Sequence, residues 1–152
     1  MGRVNYTLSR LINIEFLIRR YIYVRKVVVS IHNGLLSEAI MKMLDDSGEF
    51  IPYHAVTTSR KSDAVEHCEM VSADLVIAEV AYSASTSVDS RLREARALRR
   101  RVPECKIVFL CDENSTPEIT REVTQAKRDG VIDNFFYSSV TTKYLLAALT
   151  AV

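Results

Sequence analysis

The stretch Asp74-Leu75-Val76-Ile77-Ala78-Glu79 sets four consecutive apolar residues between two carboxylates. A strand with one face in water alternates apolar and polar residues, whereas this run is apolar at every central position. Residues 27–31 and 107–110 form two more short runs that are almost wholly apolar. Strands of this kind are buried on both faces, so we predict a parallel sheet covered by helices on both sides.

Segments with the apolar spacing of a helix separate these strands, and residues 50–56 and 131–136 supply two more strands. The predicted helix boundaries are Ser47-Gly48 (end of the first helix), Thr57-Thr58-Ser59 (start of the second), Pro103 (end of the third), Ser115 to Glu118 (start of the fourth) and Thr141-Thr142 (start of the fifth). Leu35 and Tyr144 are included among the inward-facing positions. A strand–helix unit repeated five times predicts an α/β fold of the doubly wound, flavodoxin-like type, with a five-stranded parallel sheet in the order 2-1-3-4-5.

The first residues differ in charge from the remainder of the chain. Residues 1–26 have a net charge of +5, and residues 27–152 a net charge of −4. We therefore divide the chain into a basic apolar leader, residues 1–24, and one domain, residues 25–152. Three interpretations of the leader stay open: a docking or dimerising helix, a helix on a membrane surface, or a segment that is not translated in the cell. In the third case translation starts at Val24, encoded by a GTG codon.

Composition excludes several classes of protein. The length of 152 residues suits one domain, and 48% apolar residues can form a core. No run of about 18 uncharged apolar residues occurs, so we expect no membrane span. Neither a phosphate-binding loop nor a dinucleotide-binding glycine motif is present. The three cysteines have no metal-site spacing, which indicates reduced thiols in a cytoplasmic protein without a metal or other cofactor.

The order of elements, the stretch Asp74 to Glu79 and the stretch Asp129-Gly130-Val131-Ile132-Asp133-Asn134-Phe135-Phe136 resemble a response-regulator receiver domain across residues 25–152. The resemblance implies a cytoplasmic module of bacterial two-component signal transduction that regulates by protein–protein contact. It also implies an effector domain beyond Val152, as in a transcription regulator.

The residues that perform phosphorylation in that family are replaced here. The family uses two acidic residues after the first strand to hold Mg²⁺, an Asp after the third to accept the phosphoryl group, and a hydroxyl and a Lys to bind it. The corresponding positions carry Ser30, Ile31 or His32 (acidic pair), Glu79 (acceptor), Cys111 (hydroxyl), Tyr137 (Lys), Ser138 (the following Pro) and Asn134 (aromatic switch, beside Phe135). Without metal ligands and without the Lys, charge on a transferring phosphoryl group has no stabilisation.

We therefore predict a degenerate, pseudo-receiver pocket that has no catalytic residue and binds no metal. Its members are Glu79, His32, Asn33, Cys111 and Tyr137. Glu79 is either a solvated carboxylate at the end of a strand or a mimic of the activated state. A His32–Glu79 ion pair would make the pocket sensitive to pH.

By the same resemblance, the contact face of a homodimer or of a partner protein lies on the fourth helix, fifth strand and fifth helix. The candidate residues are Ile119, Arg121, Lys127, Asp133, Phe136, Lys143 and Tyr144. The alternative function is a stand-alone domain that binds a small ligand or anion at His32, Glu79 and Cys111. The arginines of residues 91–101 are interpreted as a solvated helix face, so nucleic acid is not an expected partner.

Overall fold

The computed structural model describes residues 23–152, which fold into five strands and five helices. The elements in chain order are β1 (Arg25–Ser30), α1 (Gly34–Ser47), β2 (Phe50–His54), α2 (Ala64–Val71), β3 (Leu75–Val80), α3 (Val88–Arg101), β4 (Lys106–Cys111), α4 (Pro117–Arg128), β5 (Asn134–Tyr137) and α5 (Thr142–Ala151). All strands pair in parallel in the order β2-β1-β3-β4-β5, which confirms the predicted topology. The interpretations of the leader concern residues 1–22 above all, and these lie outside the described residues.

Two apolar layers cover the two faces of the sheet. Because side chains alternate along a strand, Val28, Val76 and Phe109 pack against α2, α3 and α4. Their neighbours Val29, Ile77 and Val108 pack against α1 and α5. All six of β3's residues are buried, as the continuous apolar run in the sequence predicts. Within residues 23–152, no helix has the length and apolar character needed to cross a membrane.

Most of the helix ends follow the predicted signals. The cap of α1 was not among the predictions: the Asn33 side chain accepts a hydrogen bond from the Leu36 amide at 3.1 Å. At the other end Gly48 adopts a left-handed φ of 68°, which favours glycine. Thr116 and Thr141 cap α4 and α5 with their hydroxyls.

Two of the predicted boundaries are wrong. Residues 57–62 form a small hairpin closed by a Thr57–Ser62 bridge, and α2 starts only at Ala64. The hydroxyl of Thr58 bonds to the backbone of Lys61, and such local bonds compete with helix formation. At the other end of the chain, residues 131–133 precede β5 rather than belonging to it.

Leu35 and Tyr144 do not face inward as predicted, since they are 84% and 59% exposed. Each one precedes a residue of the buried stripe, Leu36 or Leu145, and successive helix positions point about 100° apart. Tyr144 instead packs edge-on against Phe136 of β5, with 6.2 Å between the ring centres.

Candidate functional site

The candidate site lies at the carboxyl ends of β1 and β3, where the order of strands reverses. Glu79 projects to the same face of the sheet as Ile77 and is only 7% exposed. Its Oε1 accepts hydrogen bonds from the backbone amides of His32 at 3.0 Å and Asn33 at 3.4 Å. Glu79 is therefore not the solvated carboxylate that was one of the two expectations: it holds the loop between β1 and α1 by charge-assisted bonds.

The predicted ion pair between His32 and Glu79 is absent. The His32 imidazole is exposed, and its Nδ1 lies 3.2 Å from the Thr57 carbonyl oxygen. Only the backbone amide of His32 contacts the carboxylate. The pH sensitivity proposed for this pair therefore has no basis in the geometry.

A buried arginine lies beneath this loop. Arg91 of α3 is 1% exposed, although the other arginines of its helix are partly or fully exposed. Its Nε donates to the Glu79 carbonyl at 2.6 Å, and its Nη2 donates to the Ser30 carbonyl at 2.8 Å. Its Nη1 donates to the Ser30 hydroxyl at 2.9 Å. The guanidinium thus links the carboxyl ends of β1 and β3.

The charge of Arg91 is balanced by one carboxylate. Glu94, one turn along α3, pairs with its Nη1 at 3.0 Å and also accepts from the Ser62 hydroxyl at 3.0 Å. Burial lowers the pKa of the Arg91 guanidinium, and the nearby Glu94 carboxylate opposes that shift. The Ser30 hydroxyl also hydrogen-bonds to Thr57 at 2.7 Å. These bonds leave Arg91 paired and satisfied, as a buried charge requires.

The expectation that the arginines of this helix form a solvated face is wrong for Arg91. The sequence contained the signal, because Arg91, Ala95 and Leu98 are spaced i, i+4 and i+7 and share the buried face. Arg99 is also partly buried and pairs with Asp133 at 2.8 Å. Arg93, Arg96 and Arg100 are exposed, as expected.

Cys111 and Tyr137 lie beside each other on β4 and β5 but do not join the cluster around Glu79. The Cys111 thiol is 2% exposed in the apolar layer under α2 to α4, and burial raises its pKa to about 12. The Tyr137 hydroxyl hydrogen-bonds to Thr120 of α4 at 3.0 Å. Of the five predicted pocket residues, the structure links Glu79, His32 and Asn33 by hydrogen bonds.

The residues at this edge do not fit the Mg²⁺ that a receiver domain holds. Magnesium prefers carboxylate and water oxygens, whereas β1 ends at Ser30 and is followed by Ile31, and one oxygen of Glu79, Oε1, already accepts two backbone amides. The guanidinium bonded to Ser30 would repel a divalent cation. In the described part of the chain no group of three His, Cys, Asp or Glu residues could hold a metal ion.

Six of the seven predicted contact residues lie on α4, β5 and α5, and Asp133 lies directly before β5. Arg121, Lys127, Lys143 and Tyr144 are exposed, and Ile119, Asp133 and Phe136 are partly buried. Asp133 binds within the molecule, because it accepts from Arg99 and, at 2.7 Å, from the Ile107 amide.

Known structures share this arrangement of elements. No protein-family model and no curated protein sequence matches the chain. The signal receiver domain of the response regulator NarL from Mycobacterium tuberculosis superimposes with a TM-score of 0.67 and 18% sequence identity, covering 84% of this chain and 94% of that one. The chain has the fold of a response-regulator receiver domain.

Two further solved structures extend the comparison. The chemotaxis protein CheY4 of Vibrio cholerae matches with a TM-score of 0.66 and 18% identity, over 86% of this chain and 99% of that one. NtrX of Brucella abortus matches with a TM-score of 0.64 and 12% identity, over 85% of this chain but only 26% of that one. This arrangement of elements thus matches nearly the whole of one chain and a small part of a longer one.

Proposed function

We propose that residues 25–152 form a non-catalytic, pseudo-receiver module that regulates by protein–protein contact and without phosphorylation. The observation that supports this best is the buried Arg91 guanidinium, which bonds to Ser30 and to the carbonyl of Glu79. This fixed cation, covalently part of the chain, bonds directly to Ser30, one of the positions at which the family carries an acidic residue that holds Mg²⁺. The module accordingly has no ion to gain or lose as a switch.

The acceptor position supports the same proposal. A phosphoryl acceptor needs a carboxylate that a phosphoryl donor can reach, but Glu79 is only 7% exposed and its Oε1 is engaged by two backbone amides. Those bonds hold the loop before α1 in one arrangement. Glu79 therefore acts as a structural replacement for an activated carboxylate, and the loop needs no phosphoryl group to become ordered.

The contact face on α4, β5 and α5 fits a homodimer or a partner protein. Tyr144 is 59% exposed and pairs with the partly buried Phe136, and aromatic residues of this kind are enriched in interfaces. The short match to NtrX supports the idea that such a module operates beside an effector domain. We place it in the bacterial cytoplasm, within a two-component or transcription-regulating protein.

Treatment with acetyl phosphate and Mg²⁺ tests the phosphorylation-independent part. We expect no covalent mass increase in the intact chain and no change in amide NMR shifts around Glu79. A phosphorylatable receiver treated in parallel shows that the reagent is active. A phosphoryl adduct mapped to Glu79, or to any residue at this edge, would refute the proposal.

Light scattering on the full chain tests the homodimer. We expect a dimer for the wild type and a monomer for Tyr144→Glu, because a charge in the centre of an interface must be desolvated. The matched control is Leu35→Glu, which adds the same charge at an exposed leucine on α1. A monomeric wild type, or equal dissociation in both variants, would contradict this face as the homodimer interface. Removal of residues 1–22 in a third sample distinguishes a dimer made by the leader.

The alternative, a stand-alone domain that binds a small ligand or anion, stays a prediction. It needs access to His32, Glu79 and Cys111, yet the last two are 7% and 2% exposed. Titration with Mg²⁺ or inorganic phosphate, followed by amide NMR, separates the two functions. Saturable shifts confined to Asn33, Glu79 and Cys111 would favour the alternative.

A further inference from the structure

A rigid basic turn projects from the same edge of the sheet, next to β2. Residues 57–62 form the hairpin, and the Thr58 amide donates to the Lys61 carbonyl at 2.8 Å. Ser85, in the loop after β3, is 6% exposed and fixes the turn. Its amide donates to Ser59 at 3.2 Å, and its hydroxyl donates to the Thr58 carbonyl. The turn is therefore held in place at its tip, unlike a typical mobile loop.

Three cations meet at this turn. Arg60 and Lys61, at its tip, line a cleft of about 290 Å³ together with Arg93 of α3. Within residues 23–152, no carboxylate lies within ion-pair distance of these three side chains. Glu94 also lines the cleft, but its carboxylate already pairs with Arg91. The cleft consequently has an unbalanced positive charge.

Two exposed apolar side chains lie close in sequence to residues of the turn and of the cleft wall. Val56 directly precedes the turn and is 59% exposed. Tyr82 stands two residues before Ala84 of the cleft wall, is 68% exposed, and is held by a bond from its hydroxyl to the Asn114 carbonyl at 2.9 Å. We call these residues the basic-turn surface: Arg60, Lys61 and Arg93 as its charged part, Val56 and Tyr82 as its apolar part.

We propose that the basic-turn surface docks an acidic segment of a partner protein, with carboxylate side chains at the three cations and an apolar side chain at Val56 or Tyr82. Charge complementarity and the exposed aromatic ring are the grounds for this occupant. The surface is separate from the face on α4, β5 and α5, so the module would have two contact regions. The proposal does not depend on whether Glu79 can be phosphorylated.

Two observations disfavour other anions. A free phosphate needs several fixed donors, but the hydroxyls of Ser62, Ser85 and Ser90 in this cleft are already bonded to protein groups. A nucleic acid extends beyond the cleft and meets the remainder of the domain. Residues 23–152 carry 16 basic and 18 acidic side chains, so that remainder repels a long polyanion. A short acidic segment contacts only the basic-turn surface.

The test titrates the ¹⁵N-labelled full chain with a short peptide of alternating glutamate and leucine. We expect fast-exchange amide shifts confined to residues 56–62, 82–86 and 90–94. Raising the salt from about 50 mM to about 300 mM should weaken binding, since the contacts are exposed. The variant Arg60→Glu/Lys61→Glu should weaken binding by about tenfold or more, because two attractive pairs become repulsive.

The controls isolate the surface from general charge effects. Arg100→Glu/Arg128→Glu makes the same change in net charge at two exposed arginines elsewhere and should bind as the wild type does. A peptide with lysine in place of glutamate should not bind. No shifts with the glutamate peptide, shifts elsewhere, or equal weakening in both double variants would overturn the proposal. Tighter binding of a short duplex DNA or of inorganic phosphate at the same residues would also overturn it.

Discussion

Replacement of Arg91 by methionine removes the guanidinium and keeps a side chain of similar length for the core. The carbonyls of Ser30 and Glu79 then lose buried donors at 2.8 and 2.6 Å. An unsatisfied buried polar group costs about 1–3 kcal/mol. Loss of the Glu94 pair adds little, because that carboxylate is 19% exposed and can recruit water. We expect the free energy of unfolding to fall by about 3–5 kcal/mol, as for other broken buried pairs.

Urea unfolding of the full chain, followed by far-ultraviolet circular dichroism, measures this change. Arg91→Lys keeps the charge but loses the planar fork, so it should lie between wild type and Arg91→Met. If Arg91→Met fails to fold, Arg91→Lys provides the measurement. The matched control Arg93→Met removes an exposed arginine from the same helix and should change stability by less than about 0.5 kcal/mol.

The reasoning is refuted by either of two results. One is an Arg91→Met chain whose stability lies within about 1 kcal/mol of wild type, which is less than one unsatisfied carbonyl should cost. The other is an equal effect of Arg93→Met, which would show that the loss reflects charge or helix propensity rather than the buried bonds.

Four further outcomes follow from the structure. All three thiols are buried, so Ellman's reagent should react with none in the native chain and with all three in guanidinium; reaction of a native thiol would contradict this. In the folded chain burial raises the pKa of the Cys111 thiol to about 12, whereas in the unfolded chain the thiol ionises near pH 8.5. The stabilisation that the neutral buried thiol provides is therefore complete below about pH 8.5 and is lost as the pH rises towards 12. A Cys111→Ala chain should therefore lose less of its chemical-denaturation stability over that range than wild type, and equal losses would argue against the shift. Asp133→Ala removes the hydrogen-bond acceptor of Arg99 and of the Ile107 backbone amide. The free energy of unfolding should fall by about 1–3 kcal/mol, and the urea midpoint should fall with it. An unchanged urea midpoint would show that the hydrogen bonds of Asp133 do not stabilise the fold. Gly48→Ala should cost about 1 kcal/mol because φ is 68°, whereas Gly34→Ala, with open space and no positive φ, should be neutral or stabilising; equal melting temperatures for the two variants would be the contrary result.

Apolar periodicity was sufficient to predict the fold. The runs in β1, β3 and β4 could be recognised because strands buried on both faces need apolar residues at consecutive positions. The right-handed crossover rule then left few strand orders. Errors occurred where local hydrogen bonds compete with periodicity, as at Thr58, and where a residue borders the buried stripe, as at Leu35.

The candidate site was only partly predictable. Strand ends in a parallel sheet meet at one edge, so Glu79 and Asn33 could be expected near each other. The sequence could not show which atom of His32 contacts the carboxylate, because every residue except proline has a backbone amide that can donate a hydrogen bond. Cys111 and Tyr137 occur in register with each other, yet their side chains bond and pack towards α4.

By itself the sequence determined the order of elements and the parallel sheet, since these follow from residue types and spacing along the chain. Only the tertiary structure decided the role of Arg91. Residues 91–101 contain six arginines, and residue type alone does not tell which of them is buried. Its burial depends on acceptors from β1 and β3, which lie 61 and 12 residues away and come together only when the sheet has formed. A buried charge is stable only with such partners, and their positions are a property of the fold.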